Sequence, residues 1–133
     1  MARKKKTNKT RHNDLARAVI DAIELTNVAL VWKMQSGLFK DMRNKCIGNI
    51  GIPGVPDICG IAKDGRFLGI EIKVLPDKLN PNQIEFNNFC DEVGALYITF
   101  TDRDDIDELI ERLKKVRRRP LNLIQSQANL RPD

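Results

Sequence analysis

The short run GIEIKV, residues 69–74, places an acid and a base two positions apart in a β-branched segment. Ile70, Ile72 and Val74 alternate with Glu71 and Lys73, and this alternation predicts a strand. Side chains of a strand point alternately to its two faces, so Glu71 and Lys73 share one face, with Cα atoms about 6–7 Å apart. The pair is either a solvated outer face or charge that is carried inward for a purpose.

The position of Asp57 relative to Glu71 depends on a predicted β-hairpin. The segments DICGIAK and RFLGIEIKV flank the turn Asp64–Gly65, whose glycine suits the left-handed conformation of a tight turn. A two-residue loop would pair Asp57 with Ile72, on the wrong face. A three-residue loop over 63–65 would place Asp57 directly opposite Glu71, with Cβ atoms about 5 Å apart. A one-residue slip moves every side chain to the other face, and we predict the three-residue loop.

Two carboxylates at that distance repel each other unless a cation lies between them. Mg²⁺ is the preferred occupant, because it takes few carboxylates and keeps waters and phosphate oxygens as further ligands. Asp57 and Glu71 are therefore candidate metal ligands, with the backbone carbonyl of Ile72 as a third oxygen. Lys73, on the same face, would hold or help to deprotonate a water aimed at a phosphorus atom. This pattern predicts metal-assisted phosphodiester hydrolysis.

Gln83 is a polar residue on the predicted inward face of a helix. The segment DKLNPNQIEFNNFCDEVG predicts a helix with Asn80 as N-cap, Pro81 at its first position and Gly94 just past its end. Gln83 then either faces the site, where its amide would orient a water or a phosphate, or bonds back to Asn80 in a capping box. The predicted inward apolar stripe of this helix is Phe86, Phe89, Cys90 and Val93.

The remaining segments predict a small α/β domain. They indicate a first helix over about 13–25, a short strand ending at Trp32, a loop or ragged strand pair over 35–49, a strand at ALYITF and a last helix within TDRDDIDELIERLKK. This order predicts a mixed β-sheet flanked by helices on both faces. A central strand of such a sheet is covered twice, so Glu71 and Lys73 cannot both be idle surface residues.

The charge of the chain is distributed unevenly. Residues 12–113 hold 11 basic and 17 acidic residues, whereas 1–11 and 114–119 hold basic residues and no acid. An acidic body with basic ends fits a cation in the body and a polyanion reached through the ends, which indicates nucleic acid. We expect a flexible basic tail over 1–11, one domain over 12–119 and a C-terminal tail or arm over 120–133. The candidate DNA-binding residues are Arg3, Lys4, Lys5, Lys6, Lys9, Arg11, Lys78, Arg117, Arg118 and Arg119.

Composition argues against several other classes of protein. No apolar run approaches the roughly 18 residues of a membrane span, and the basic start MARKKKTNKTR is not followed by the apolar stretch of a secretory signal. The three cysteines are widely spaced, which is more typical of reduced packing residues than of a disulfide framework or a zinc site. An intracellular, cytoplasmic protein without membrane contact is expected.

The segments GVPDICG, GRFLGIEIKV and LNPNQIEF, in this order, resemble the VRR-NUC family of the PD-(D/E)XK nuclease superfamily over about residues 12–113. The signature falls on Pro56-Asp57, on Glu71-x-Lys73 and on the helix that follows. The resemblance implies a restriction-endonuclease-like core and a Mg²⁺- or Mn²⁺-dependent nuclease, with the two acids as metal ligands and the lysine as the catalytic base or its positioner. Short stand-alone members, often viral, look like junction-resolving homodimers, which implies a homodimer acting on branched DNA.

The start of the first helix departs from the pattern of this family. Such nucleases commonly carry a glutamate there that helps with the metal, but this chain reads RHNDLAR, with His12 at the matching position and Asp14 two residues on. Asp14 is a candidate metal ligand in its place, and His12 is the less favoured one. Either residue is also an ordinary helix-start residue.

Two alternative functions remain at the level of sequence. A non-catalytic nucleic-acid-binding module with a nuclease fold has no reason to bury two acids that face a polyphosphate. A sequence-specific restriction-type endonuclease needs an element that reads bases in the major groove, and the chain offers little extra length for one. Recognition of DNA shape through backbone phosphates needs fewer parts, and the basic ends suit it.

Overall fold

The computed structural model describes residues 4–34, 37–40, 46–50 and 52–116, and for 37–40 and 46–50 it describes the backbone alone. The predicted C-terminal tail or arm and the candidate DNA-binding residues Arg3, Arg117, Arg118 and Arg119 lie outside the described residues. None of the described helices is long and apolar enough to cross a membrane. The elements, in chain order, are α1 (Asn8–Thr26), β1 (Ala29–Lys33), β2 (Gly37–Lys40), β3 (Cys46–Ile50), β4 (Ile58–Ala62), β5 (Phe67–Lys73), α2 (Pro81–Val93), β6 (Leu96–Thr101) and α3 (Ile106–Lys114).

The first helix begins at Asn8, so the predicted start near residue 13 is wrong. Thr7 is the N-cap, and its side-chain oxygen accepts a hydrogen bond of 3.2 Å from the Thr10 N–H. The helix start was missed because the polar run NKTRHN carries no apolar stripe. Residues 8–11, which fall within the predicted basic segment, therefore belong to α1.

Four strands form a mixed, open sheet in the order β1-β4-β5-β6. β4 pairs antiparallel with both β1 and β5, whereas β5 and β6 run parallel. β2 and β3 form a separate antiparallel pair, which is the second of the two structures considered for residues 35–49. The predicted α/β class with a mixed sheet is confirmed.

The β5 strand is covered by helices on both of its faces. Ile70 and Ile72 are fully buried in the main hydrophobic core with residues of α1 and α3, and burying such a side chain contributes about 1.5–3 kcal/mol. The opposite face of β5 carries Phe67 and Glu71, and the Phe67 ring lies 6.1 Å from the Phe86 ring of α2. Glu71 is only 2 % exposed. The central strand therefore does carry its charge inward.

The bounds of α2 agree with the prediction, but its inward face does not. Asn80 is the N-cap and Gly94 the C-cap, with φ of 77°. Phe89 and Val93 are 61 % and 59 % exposed, so their assignment to the buried stripe is wrong. The helix instead turns the line through Gln83, Phe86 and Cys90 toward the sheet, which brings a polar amide into the protein.

The hairpin of β4 and β5 turns through the three residues Lys63–Gly65, and its glycine has φ of 92°. The ladder pairs Ile58 with Ile70. One step further along the same register, Asp57 stands opposite Glu71. The predicted three-residue loop is confirmed, and the two carboxylates are neighbours as a result.

The segment that carries Asp57 is held in place by close backbone approaches. Pro56 is fully buried and packs on Gly69, where a Cβ atom would lie 2.6 Å from the proline Cγ. Gly69 thus leaves room on β5 for the proline of the neighbouring segment. Gly54, with φ of 81°, lies against the backbone of Asn82 with no space for a side chain. The Asp57 segment is therefore packed against both β5 and the first turn of α2.

Gly69→Ala should destabilise the protein and disturb the segment before β4, because the new methyl group collides with Pro56. We expect the free energy of unfolding in urea to fall by about 1–3 kcal/mol. Gly65→Ala is the matched control in the same hairpin, since it costs backbone strain but meets no atom within 4 Å. The amide resonance of Ile72, which reports on Asp57, should move in Gly69→Ala only; an unmoved resonance there would contradict this packing link.

Candidate functional site

Asp57 lies directly before β4 and is fixed by three hydrogen bonds. Its backbone carbonyl accepts from the Met34 N–H at 2.8 Å, which ties it to β1. Its Oδ2 accepts from the Ile72 N–H at 2.8 Å and lies 3.2 Å from His12 Nε2. No hydrogen bond from the described residues reaches Oδ1. Within the described part of the chain, one oxygen of this carboxylate is therefore held and the other is without a donor from an N–H group.

Glu71 shows the same division between its two oxygens. Oε1 accepts a hydrogen bond of 2.9 Å from Gln83 Nε2 and lies 3.9 Å from Lys73 Nζ. Oε2 is buried, and no hydrogen bond from the described residues reaches it. An unpartnered buried polar atom costs about 1–3 kcal/mol, and more if it is charged. Such an atom needs an explanation, and a proton or a bound cation would supply one.

The pKa of Glu71 reflects this environment. Burial raises it first, and the neighbouring Asp57 carboxyl raises it further, to about 8, although the Lys73 ammonium acts in the opposite direction. Without a cation, the carboxyl is therefore largely protonated at neutral pH. A cation between the two acids would replace that proton.

The backbone carbonyl of Ile72 also points toward the Asp57 segment. The Ile72 N–H donates to Asp57, and the N–H and C=O of a strand residue point toward the same neighbouring strand. The next carbonyl, that of Lys73, accepts instead from the Asp102 N–H on the other side of β5, at 3.3 Å. The residue opposite Ile72 in the extended ladder is Pro56, which has no N–H to donate. The Ile72 carbonyl therefore lacks a ladder donor.

These groups fit a divalent cation that takes few protein ligands. Among the described residues, no group of three or more His, Cys, Asp or Glu side chains is arranged to hold a metal. The donors present are the free oxygens of Asp57 and Glu71 and the Ile72 carbonyl, so waters and substrate oxygens would complete the coordination. This set of oxygen donors is the one that Mg²⁺ prefers and that Mn²⁺ also accepts.

The sequence allowed Gln83 either a capping bond to Asn80 or a contact with the site, and the structure shows both. Its side-chain Oε1 accepts from the backbone N–H of Asn80 at 2.9 Å. Its backbone N–H donates to the Asn80 side chain at 2.9 Å, which completes the capping box. Its Nε2 remains free to donate to Glu71. The cap thus fixes the amide that holds the buried carboxylate.

Lys73 lies where the sequence predicts it. It follows Glu71 on the same face of β5, and its side chain is 13 % exposed. At 3.9 Å its ammonium is a neighbour of the Glu71 carboxylate and too distant for a direct hydrogen bond. It can therefore donate to a water or a phosphate oxygen in front of the two acids.

The structure brings His12 to this site, and it places Asp14 elsewhere. His12 contacts Asp57, whereas Asp14 is half exposed and forms an ion pair of 2.9 Å with Lys6. Residues two positions apart on a helix are separated by roughly 200° around its axis, so His12 and Asp14 cannot both face the site. The deciding signal was the buried stripe of α1, because His12 lies one turn before Ala16, its first buried residue.

Tyr97 is a neighbour of the site that the sequence did not indicate. It pairs with Gly69 across β5 and β6, and its ring lies 6.2 Å from that of Phe86. Its hydroxyl is buried without a hydrogen-bond partner among the described residues. Burial raises its pKa above the ordinary range, with help from the negative charges of Glu71 and Asp57. Tyr97 therefore stays protonated.

Some of the candidate DNA-binding residues have acidic partners within the chain. Lys6 pairs with Asp14, and Arg11 Nη2 lies 3.0 Å from Asp102 Oδ2. The remaining described residues of the set are exposed: Lys4, Lys5, Lys9 and Lys78. These four are the best placed for contact with a polyanion.

No family model matches the chain, and no curated protein matches it in sequence. The resemblance to VRR-NUC nucleases therefore stays a prediction from the motif residues. Those residues are the ones that the structure assembles around Asp57 and Glu71.

In the metal-free protein, Glu71 should make stability fall as pH rises. The folded state keeps this proton up to a pKa of about 8, whereas the unfolded chain loses it near the ordinary glutamate pKa of 4.5. Between these values the folded state binds more protons, so the free energy of unfolding decreases with pH. Glu71→Gln lacks this titration and should gain stability relative to the natural chain from pH 5 to pH 8, measured by urea unfolding in EDTA. A difference that stays constant over this range would contradict the raised pKa.

Proposed function

We propose that this chain is a divalent-metal-dependent endodeoxyribonuclease that hydrolyses phosphodiester bonds. The observation that carries the proposal is the division of roles in the two acids: Asp57 and Glu71 each have one oxygen held by donors and one without a donor. Such a pair, with a lysine beside it on the same strand, suits binding of a cation in front of a phosphate. Bound there, Mg²⁺ or Mn²⁺ would stabilise charge that develops on the phosphate and lower the pKa of water.

The side chains around the acids have distinct tasks in this proposal. Gln83 keeps the Glu71 carboxylate in one orientation, and the capping box keeps Gln83 in place. The Lys73 ammonium holds the attacking water by donating to its oxygen, and its positive charge favours loss of a proton from that water to solvent. It also offsets negative charge on the phosphate. Because the acids lie on a buried strand and on a packed segment, little reorganisation is needed when a substrate binds.

The arrangement of elements supports the restriction-endonuclease-like interpretation of the fold. If the β2 and β3 pair is set aside as an insertion, the order is a helix, three antiparallel strands, a helix and a strand parallel to the last of the three. The resemblance to VRR-NUC nucleases implies this core. The acids and the lysine then lie on the two central strands or directly beside them.

Branched DNA and a homodimer complete the proposal. The exposed basic residues suit binding through backbone phosphates, which responds to DNA shape more than to sequence. Symmetric cleavage of two strands needs two sites, and the described residues of one chain hold one such pair of acids. The alternative of a binding module without catalysis is less favoured, because the buried and unpartnered Glu71 Oε2 costs stability that binding of DNA alone does not require.

Cleavage of labelled DNA tests the proposal. Four substrates (linear duplex, single strand, flap and four-way junction) are incubated with Mg²⁺, Mn²⁺ or EDTA. We expect metal-dependent cleavage, strongest on branched substrates, with paired symmetric nicks on the junction. Glu71→Gln and Asp57→Asn should abolish it, and Lys73→Ala should slow it by about 10²–10³-fold.

Asp14→Asn is the matched control for these variants, since Asp14 is an acid of the same helix as His12 that lies away from the site. It should cut like the natural chain. Retained turnover in Glu71→Gln would refute the assignment of the site. Binding to all four substrates without cleavage under any metal would favour the binding module.

The basic N-terminal residues should contribute to affinity through phosphate contacts. Removing the charges by Lys4→Gln and Lys5→Gln keeps the Thr7 cap of α1 intact. Each lost phosphate contact should lower the slope of log affinity against log salt by about 0.9, with turnover at saturation little changed. The double variant Lys114→Gln and Glu111→Gln, which removes an ion pair of α3, is the control. An unchanged salt slope would show that these lysines do not touch DNA.

A further inference from the structure

The contact between His12 and Asp57 joins two segments that are far apart in the chain. His12 Nε2 lies 3.2 Å from Asp57 Oδ2, and the two side chains are 32 % and 29 % exposed. The acceptor is a carboxylate oxygen, so Nε2 must carry a proton for this contact to be a hydrogen bond. Both the neutral Nε2–H tautomer and the doubly protonated imidazolium meet this requirement.

The first turns of α1 make contacts beside the site on both sides of His12. Arg11 pairs with Asp102 at 3.0 Å, and Asp102 Oδ1 also accepts from the Leu75 N–H at 3.0 Å. The Asp102 N–H in turn donates to the Lys73 carbonyl. One turn beyond His12, Ala16 is 1 % exposed in the hydrophobic core. The helix that carries the imidazole is therefore in contact with the rest of the protein both before and after His12.

The Asp57 carboxylate needs a second donor if its two oxygens are to keep separate roles. The torsion that turns a carboxylate about its Cβ–Cγ bond is soft, so a single hydrogen bond from Ile72 leaves the plane of the group poorly defined. The His12 N–H reaches the same Oδ2 from a different element. With two donors on Oδ2, Oδ1 is kept as the oxygen without a donor.

We propose that His12 is a positioning residue, whose Nε2–H donates to Asp57 Oδ2 and thereby keeps Asp57 Oδ1 available to a divalent cation. This inference rests on the proposed metal-dependent function. It assigns His12 a role through Asp57, without direct contact to the cation. Partners of this kind, which hold a ligating carboxylate, typically change metal affinity by 10–100-fold when they are removed.

The first test asks whether the contact exists in the metal-free chain. Nitrogen-15 spectra of the imidazole should show a proton on His12 Nε2 that exchanges slowly enough with water to be seen. In Asp57→Asn this proton should exchange faster and its signal should weaken. An unprotonated Nε2, or a signal unaffected by Asp57→Asn, would overturn the proposal whether or not the chain cleaves DNA.

The second test measures binding of Mn²⁺ alone by calorimetry to the full chain. His12→Ala should weaken affinity by about 10–100-fold, and His12→Gln should recover most of it, because the glutamine amide nitrogen can occupy the place of Nε2. Asp14→Ala, two residues along the same helix, should bind like the natural chain. The unfolding midpoint of each variant shows whether it is folded.

The outcomes of the two tests separate this inference from the proposed function. Equal Mn²⁺ affinity in His12→Ala and the natural chain refutes the positioning role and leaves the metal site standing. Equal weakening in His12→Ala and His12→Gln also refutes it, since the donated hydrogen bond would then not be what matters. A natural chain that binds no Mn²⁺ refutes both, even where the imidazole signal shows the contact.

Discussion

The side chains on the face of the sheet beneath α2 are arranged around one almost fully buried carboxylate, that of Glu71. It is enclosed by α2, by the neighbouring strands and by the carboxyl of Asp57, which directly precedes β4. Burying one acid next to another is unfavourable unless a proton or a cation joins them, and the raised pKa of Glu71 expresses that conflict. The capping box that steadies Gln83 and the glycine that admits Pro56 both keep this pair in one arrangement. In the proposed function, a cation bound between the two acids would offset this cost in stability.

The pairing of the two acids could be predicted because short-range chemistry determines it. A left-handed glycine in the turn is compatible with the predicted three-residue loop, and in that register the alternation of the β5 residues decides which side chains face inward. The ends of α2 were predictable for the same reason, since Asn80 and Gly94 act on the backbone next to them. The contact of Gln83 with Glu71 follows once those ends and the strand register are known.

Which residues of each helix face the sheet could not be predicted in the same way. Phe89 and Val93 look like core residues in an apolar stripe, but α2 covers only part of the sheet and gives up their burial in favour of the line through Gln83. That choice is made by tertiary packing, which local patterns do not contain. The predicted start of α1 near residue 13 leaves His12 outside the helix, so the predicted apolar stripe does not show that His12, and not Asp14, faces the sheet.

Anomalous diffraction from crystals grown with Mn²⁺ would show whether a cation binds between the two acids. We expect one strong peak there, within about 2.0–2.4 Å of Asp57 Oδ1, Glu71 Oε2 and the Ile72 carbonyl, the range in which Mg²⁺ and similar hard cations meet oxygen ligands. We also expect Asp57 Oδ2 and Glu71 Oε1 to keep the donors they have without metal. A map without a peak at this position, with Glu71 Oε2 bonded to a protein group instead, would contradict the proposed metal site.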